Sequence, residues 1–280
     1  MDDSTLACFA LAIGNSRLHW LWEEQSQPPL VWHTPHLSRE AIAHWLHHRC
    51  QSSALPDGAL MVEGDRLLLR LQQPLWDGRP PLLHIASVVP TQTRLWQDLY
   101  SPVHCLSLAD VPLSGLYPSL GLDRAIALWG LMAHRQAPAL VIDAGTALTF
   151  TGADAQHRLV GGAIIPGLSL QLRSLSLQTA ALPWLDARAL QQPERWASST
   201  EDAIYSGVLH TLLAGLKDFV QAWQQDYPTS AIALTGGDAP LLYRHLQQSI
   251  PTLAQTLDLM PSLLMMGLRS LTCESMKKRN

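Results

Sequence analysis

Two short glycine-containing turns are the first places in the sequence where chemistry could occur. Gly14-Asn15-Ser16 follows the apolar run 6–13, and Gly145-Thr146 follows the apolar run 139–142 and Asp143. Glycine lets a turn bring backbone N–H groups close to an anion, and short polar side chains add further donors. The two turns together predict a site that cradles a polyphosphate from two sides. Each alone is also what an ordinary β-hairpin requires.

Two aspartates stand where a carboxylate could take part in a reaction. Asp143 ends an apolar strand, where an unpaired charge is costly, so we expect a cation or a hydrogen-bond network against it. The alternative is an aspartate that bonds its own turn. Asp123 lies in Gly121-Leu122-Asp123-Arg124 at the start of a helical pattern. It is either a helix N-terminal residue favoured by the helix dipole, or a general base for a substrate hydroxyl, with Arg124 holding a substrate anion.

Absent motifs narrow the reaction class. The sequence contains no G-x-x-x-x-G-K-[ST], no G-x-G-x-x-G after a strand and no G-x-S-x-G, which argues against a P-loop kinase, a dinucleotide enzyme and an α/β-hydrolase. Two further glycine segments, 161–167 and 235–238, adjoin strands. They are suited to close contact with a ligand or with a neighbouring lobe.

The elements that must position these residues alternate between strands and helices. Continuous apolar strands set between helices are typical of an α/β fold. Residues 9–20 and 140–150 repeat one strand-turn-strand pattern, which predicts two related lobes, 1–120 and 121–280. The patterns predict strands over 6–13, 16–24, 82–89, 139–142 and 231–237, a strand-turn-strand through 150 and 160, helices over 39–50, 92–99, 122–134, 167–178, 200–223 and 261–272, and loops over 25–38 and 105–120.

Composition excludes several classes of protein. With 280 residues, 47% of them hydrophobic, the chain can bury a large core in two lobes. A net charge of −4 without a basic stripe argues against nucleic acid as a partner, and no apolar stretch is long enough to predict a membrane span. The cysteines are scattered singly, so we expect reduced thiols, with neither a zinc site nor a disulfide scaffold, as in a cytoplasmic protein.

Seven segments follow one another along the chain: IGNSRLHW (13–20), GLDR (121–124), VIDAGTALT (141–149), GGAIIPGL (161–168), AALP (180–183), STEDAIYSG (199–207) and ALTGGDA (233–239). Taken together in this order, they resemble the type III pantothenate kinases. The resemblance covers roughly residues 6–270. It implies the ribonuclease-H-like fold of the actin/hexokinase/Hsp70 ATPase superfamily, with two related lobes and a ligand cleft between them. It also implies ATP-dependent phosphorylation of pantothenate to 4'-phosphopantothenate, the first step of coenzyme A biosynthesis, in a cytoplasmic homodimer that uses Mg²⁺ and K⁺ or NH₄⁺.

The resemblance implies roles for individual residues. Asp123 would accept the proton of the pantothenate hydroxyl, and Asp143 would bind the monovalent cation. Thr200 would reach pantothenate from the second subunit of the dimer, and Tyr117 would contact it too. The other implied pantothenate contacts are Gly121, Leu122 and Arg124. The implied ATP contacts are Ala12, Ile13, Gly14, Asn15, Ser16, Arg17, Leu18 and His19 in the first turn, and Gly145 and Thr146 in the second.

One departure from the family pattern concerns the first turn. The family reads Asp-x-Gly-Asn-Thr, whereas this sequence reads Ala12-Ile13-Gly14-Asn15-Ser16 and lacks the carboxylate that helps to organise Mg²⁺ and the phosphates. Because phosphoryl transfer depends on positioning and charge neutralisation, this loss should cost roughly 10²–10³ in rate. Three explanations stay open: another acid such as Asp143 substitutes, the enzyme is slow, or the chain is a non-catalytic regulator that binds nucleotide or pantothenate.

Overall fold

A computed structural model describes residues 7–24, 27–62, 65–135, 138–187 and 191–274 of the chain. The chain divides into two compact units. The first comprises Met1–Pro112, Tyr117–Gly130 and Leu264–Asn280, and the second comprises Leu113–Leu116 and Leu131–Leu263. The domain boundary expected after residue 120 stays a prediction.

Strands and helices alternate along the described residues, as in an α/β protein. The first half of the chain contains β1 (Cys8–Ile13), β2 (Leu18–Glu23), β3 (Leu30–Thr34), α1 (Arg39–His47), α2 (Asp65–Leu71), β4 (Leu83–Ser87), α3 (Pro90–Leu99), β5 (Val103–Cys105) and α4 (Leu122–His134). The second half contains β6 (Ala139–Ala144), β7 (Ala147–Ala153), β8 (Leu159–Pro166), α5 (Leu168–Gln178), α6 (Thr200–Asp226), β9 (Ala231–Thr235), α7 (Ala239–Ser249), α8 (Pro251–Ala254), β10 (Asp258–Leu259) and α9 (Leu263–Arg269).

The two units repeat one sheet topology. The first sheet has the order β3-β2-β1-β4-β5 and the second has the order β8-β7-β6-β9-β10. In each sheet the first three strands pair antiparallel and the last two add in parallel. The predicted α/β fold of two related lobes is therefore confirmed. The repeat also makes Ala12, two residues before the turn glycine of β1, the counterpart of Asp143 in β6.

Strand alternation gives the first sheet two different faces. Phe9 pairs with Trp22 and faces an aromatic cluster, in which Trp20 contacts Trp45 and Trp96 at ring-centroid distances of 4.9 Å. Residues 8, 10 and 12 of β1 point to the opposite face, because successive side chains of a strand alternate. The aromatic cluster therefore fixes β1 and β2 from one side and leaves the other face to the smaller residues.

The C-terminal segment, which belongs to the first unit, packs against the rest of that unit at three points. A Cβ atom at Gly267 would collide with the carbonyl oxygen of Ile126 in α4, so only glycine permits this approach. Arg269 donates to both carboxylate oxygens of Glu23, over 2.7 and 2.9 Å. Cys273 forms a disulfide with Cys8, the residue that pairs with Glu23 across β1 and β2. The expectation of reduced, unpaired cysteines is therefore wrong at Cys8 and Cys273, which lie 265 residues apart in the chain.

Most predicted elements are present, with one clear error. The helices predicted over 39–50, 92–99, 122–134, 167–178, 200–223 and 261–272 correspond to α1, α3, α4, α5, α6 and α9. The first strand begins at Cys8, and residue 6 of its predicted range lies outside the described residues. The loop predicted over 25–38 is wrong, because residues 30–34 pair with β2 and bury Trp32. No helix among the described residues is long and apolar enough to cross a membrane.

Candidate active site

The β1–β2 turn is a tight loop whose polar residues face solvent. Gly14 N donates to Arg17 O over 3.0 Å and closes the loop just beyond the paired residues Ile13 and Leu18. The side chains of Ile13 and Leu18 are buried, so these two residues can offer a ligand only their backbone. Asn15 and Ser16 are exposed. The turn therefore presents backbone and small polar donors of the kind that bind phosphate.

Beside this turn the sheet carries histidines, with no carboxylate at position 12. Ala12 is 3% exposed and pairs with His19 across β1 and β2, and His19 pairs with His33 across β2 and β3. The Nδ1 atoms of His19 and His33 lie 2.9 Å apart, so one ring donates to the other. Burial, together with the nearby charges of His33 and Arg17, lowers the pKa of His19 to about 4. His19 is therefore uncharged at neutral pH.

We expect His19 to make the fold sensitive to acid. Its pKa is about 4 in the folded chain against 6.5 for an unperturbed histidine, so the unfolded state takes up the proton first. The stabilisation present above pH 6.5 is then lost as the pH falls through the folded value. Because His19 keeps some exposure, we expect a loss of about 2 kcal/mol in the free energy of unfolding. Urea unfolding at about pH 7 and about pH 4.5 measures this loss.

His19→Gln is the matched variant, because glutamine keeps a donor and an acceptor but does not titrate. Burial also lowers the pKa values of His84 and His245, and these two groups act equally in both proteins. The variant should therefore lose less stability in acid than the wild type. Equal losses in the two proteins would contradict the assignment to His19.

Asp123, Arg124 and Tyr117 come together where α4 begins. Asp123 Oδ1 accepts from Arg124 N over 2.8 Å, and a Cβ atom at Gly121 would lie 2.6 Å from that same oxygen. A side chain at position 121 would therefore displace the carboxylate from this position. Arg124 is 8% exposed, and its Nη1 donates to the hydroxyl of Tyr117 over 3.3 Å. The arrangement places a carboxylate, a buried guanidinium and a phenol hydroxyl at the start of α4, where Leu122 is also buried.

The β6–β7 turn is enclosed by the two other glycine segments noted in the sequence. Gly145 N donates to Ala147 O over 3.0 Å and closes the turn, while Gly167 N donates to Thr146 O over 2.9 Å. On the other side, Asp238 N donates to Ala144 O over 2.8 Å. Cβ atoms at Gly167 or Gly236 would collide with this turn. Close packing around the Asp143 turn is therefore what requires glycine at positions 167 and 236.

Asp143 lies in an environment of oxygen atoms. A Cβ atom added at Gly236 would touch Asp143 Oδ1 and would lie 2.5 Å from Ala144 O. A Cβ atom added at Gly145 would lie 3.7 Å from the same carboxylate oxygen. The space that a side chain at 236 would fill is thus bordered by a carboxylate oxygen and a carbonyl oxygen. Carbonyl and carboxylate oxygens are ligands for alkali and other hard cations. Across the described residues no three His, Cys, Asp or Glu side chains group into a metal site.

Thr200 is the first residue of α6, in the second unit. Ser199 caps this helix, since its Oγ accepts from Asp202 N over 3.1 Å and donates to Asp202 Oδ2 over 2.8 Å. Thr200 is exposed, like the tip residue Thr146 in the β6–β7 turn. The structure thus groups Asp123, Arg124 and Tyr117 in the first unit and presents Thr200 separately at a helix N-terminus.

Comparison with known proteins identifies the family. The family model of type III pantothenate kinases matches residues 8–222. A type III pantothenate kinase of Nostoc sp. is 42% identical over 267 residues, which cover 94% of this chain and 93% of the relative. The corresponding protein of Synechocystis sp. is 39% identical over 258 residues, covering 92% and 88%. The chain belongs to the type III pantothenate kinase family.

As a member of the type III pantothenate kinase family, the chain is a kinase. A solved structure shows the same fold: a Campylobacter jejuni protein assigned to the Baf family of transcriptional activators aligns with a TM-score of 0.59 and 16% identity. The alignment covers 96% of this chain and 99% of that protein. At this identity the likeness concerns the fold alone, so it adds nothing to the non-catalytic reading of Ala12.

Sequence reasoning missed two parts of this site. His33 and His36 lie in or next to β3, in a stretch predicted to be a loop, yet His33 contacts His19 and His36 contacts Gly14. Burial in β3 alternates from Val31 onward, but the sequence LVWHT places its apolar residues together, so periodicity gives no signal for this strand. The contact between His36 and Gly14 joins residues 22 apart, and no local pattern predicts it.

Proposed function

We propose that this chain transfers the γ-phosphoryl group of ATP to the primary hydroxyl of pantothenate, giving 4'-phosphopantothenate and ADP. The observation that carries the proposal is the group at the start of α4, where Asp123 lies beside a buried Arg124 bonded to Tyr117. Family membership supplies the substrate class. The product would enter coenzyme A biosynthesis as its first phosphorylated intermediate.

Asp123 acts in this proposal as the general base. Its Oδ1 accepts from Arg124 N, and this bond holds the carboxylate at the start of α4. Its second oxygen would take the proton from the attacking hydroxyl. Arg124 suits the pantothenate carboxylate, because a guanidinium pairs with a carboxylate through two parallel hydrogen bonds. Gly121 and Leu122 complete the pocket wall by backbone and packing, and Tyr117 holds Arg124 in place. Thr200 would reach the substrate from the second subunit of a homodimer.

The ATP contacts are proposed on the two glycine turns. Residues Ala12 to His19 offer backbone N–H groups and the side chains of Asn15 and Ser16, and Gly145 and Thr146 do the same in the second unit. Asp143 would hold K⁺ or NH₄⁺ with neighbouring carbonyl oxygens. Mg²⁺, when bound, would neutralise charge on the phosphates of ATP, which together with water molecules supply most of its ligands.

The charges of the first turn suit direct binding of phosphate, even though position 12 lacks a carboxylate. Ala12 is uncharged and its neighbour His19 is uncharged at neutral pH, since its pKa is about 4. The first turn therefore adds no negative charge against the phosphates of ATP, whereas Arg17 in the same turn is cationic. We propose that this turn binds phosphate directly and does not hold Mg²⁺ through a side chain of its own at position 12.

A kinase assay with the purified full-length chain tests the function. With ATP, Mg²⁺, K⁺ and pantothenate we expect one ADP per 4'-phosphopantothenate, with the product identified by mass spectrometry. Replacing K⁺ by Na⁺ should lower the rate if Asp143 binds a monovalent cation. A folded protein that releases no 4'-phosphopantothenate would refute the proposal.

The quaternary state and the compartment are proposed with the reaction. A homodimer, measured by light scattering, would allow Thr200 of one subunit to reach the pantothenate of the other. The cytoplasm supplies the ATP and K⁺ that the reaction needs, although disulfides are rare there. Alkylation of thiols in freshly lysed cells therefore provides a check on the Cys8–Cys273 bond: modification of both cysteines would mean that the pair is reduced in the cell.

A further inference from the structure

We propose that His36 is a positioning residue for the first phosphate turn. Its Nε2 lies 2.8 Å from the carbonyl oxygen of Gly14. A carbonyl oxygen can only accept, so Nε2 carries the hydrogen and donates. The inference rests on the proposed role of residues 12–19 in binding ATP, and it assigns to a residue outside that stretch the task of orienting it.

The bond fixes the direction of a backbone donor. In a trans peptide the C=O of one residue and the N–H of the next point in opposite directions within one plane. Holding the Gly14 carbonyl toward His36 therefore turns the Asn15 N–H away from His36, to the other side of the turn. Asn15 is exposed, so this N–H can reach a ligand. A donor that is oriented in advance binds an anion without first paying to be ordered.

His36 is itself held firmly from both sides. Two residues before it, Thr34 is fully buried and its Oγ1 accepts from Trp20 Nε1 over 3.1 Å. Directly after it, Leu37 is buried, and Ser38 caps α1 by accepting from Ala41 N over 3.2 Å. The histidine thus stands on a short connection anchored at the end of β3 and at the start of α1. Because the backbone is anchored on both sides of position 36, an N–H donor at this position stays close to the turn.

The second unit holds its turn from the same side with a backbone bond, made one residue further along the turn than in the first unit. There the residue that follows the third strand, Gly167, donates its N–H to the carbonyl of Thr146 in the β6–β7 turn. A second bond also has its counterpart: Asp238 N donates to Ala144 O, and Val88 N donates to Ile13 O over 3.1 Å in the first unit. In each unit the turn is therefore held by a residue that follows the third strand (β3 or β8) and by a residue that follows the fourth strand (β4 or β9). In the first unit the bond from the third-strand side comes from the side chain of His36.

Three variants separate a positioning role from a merely structural one. His36→Leu removes the donor and should raise KM for ATP by about tenfold, with KM for pantothenate within about twofold of the wild type. His36→Gln keeps an N–H donor on a flexible chain and should recover most of the ATP affinity. His47→Leu, at an exposed position of α1, is the matched control and should behave as the wild type.

A calorimetric titration with a non-hydrolysable ATP analogue and no pantothenate gives the same comparison without activity. We expect about tenfold weaker binding for His36→Leu and near recovery for His36→Gln. An unchanged ATP affinity in His36→Leu, an equal rise in both KM values, or a glutamine variant as poor as the leucine variant would overturn the proposal. Failure of the wild type to turn over pantothenate would refute the proposed function instead, and the titration would still test His36.

Discussion

Asp123→Asn should lower kcat by about 10²–10⁴-fold while the dissociation constant of pantothenate changes by less than about threefold. The substitution removes only the ability to accept a proton, because an asparagine oxygen can still accept from Arg124 N as Asp123 Oδ1 does over 2.8 Å. The start of α4 and the bond between Arg124 and Tyr117 should therefore persist. Steady-state kinetics give kcat, and calorimetric titration with pantothenate gives the binding constant.

Glu40→Gln provides the matched control for Asp123→Asn. Glu40 is also an acidic residue in the first turn of a helix, α1, and is exposed. Its conversion to an amide should leave kcat within about twofold of the wild type, since it lies outside the proposed site. A proton acceptor other than Asp123 would have to be sought if Asp123→Asn retained more than a tenth of the wild-type kcat.

Gly236→Ala should destabilise the second unit by about 3 kcal/mol and abolish most of the activity. Gly236 has a φ of +98°, a conformation that residues with a side chain adopt only under strain. Its Cβ atom would also collide with Asp143 Oδ1 and lie 2.5 Å from Ala144 O. Relief of these contacts must move either the carboxylate or the backbone of the β6–β7 turn. Urea unfolding followed by tryptophan fluorescence measures the loss.

Gly237→Ala is a control one residue away. A Cβ atom at Gly237 would meet nothing within 4 Å, so we expect a change of less than about 1 kcal/mol in the free energy of unfolding and nearly full activity. The contrast between neighbouring glycines separates the combined effect of the positive φ and the close approach to Asp143 at position 236 from any general effect of stiffening the chain. Similar effects at both positions would refute the packing argument.

The parts of the fold that follow from local pattern could be predicted. The run of apolar residues in β1 and the glycine after it are local signals, and so is the helical spacing that begins at Leu122 and ends at His134, as α4 does. The two related lobes could be predicted because the strand-turn-strand pattern occurs twice. Family resemblance added roles for Asp123 and Asp143 that spacing alone left open.

The parts that depend on distant contacts could not be predicted. β3 is short and follows prolines, and it is stabilised by pairing with β2 and by burial of Trp32. The disulfide joins residues near the two ends of the chain. The structure also explains Gly236, whose need for glycine comes from Asp143, a residue on another strand. In each case the deciding partner lies far away in sequence, where periodicity carries no information.

The three contacts of the C-terminal segment have a consequence for the order in which the chain is completed during synthesis. The first unit includes β1, the start of α4 and the segment from Leu264 onward, so β1 and α4 leave the ribosome well before the segment that completes their unit. Until Gly267, Arg269 and Cys273 emerge, the contacts that they make with Ile126, Glu23 and Cys8 cannot form. The helix that presents Asp123 therefore gains its full support only after residue 273 has been synthesised, and chains cut short before residue 264 should carry the site residues without the contacts that stabilise them.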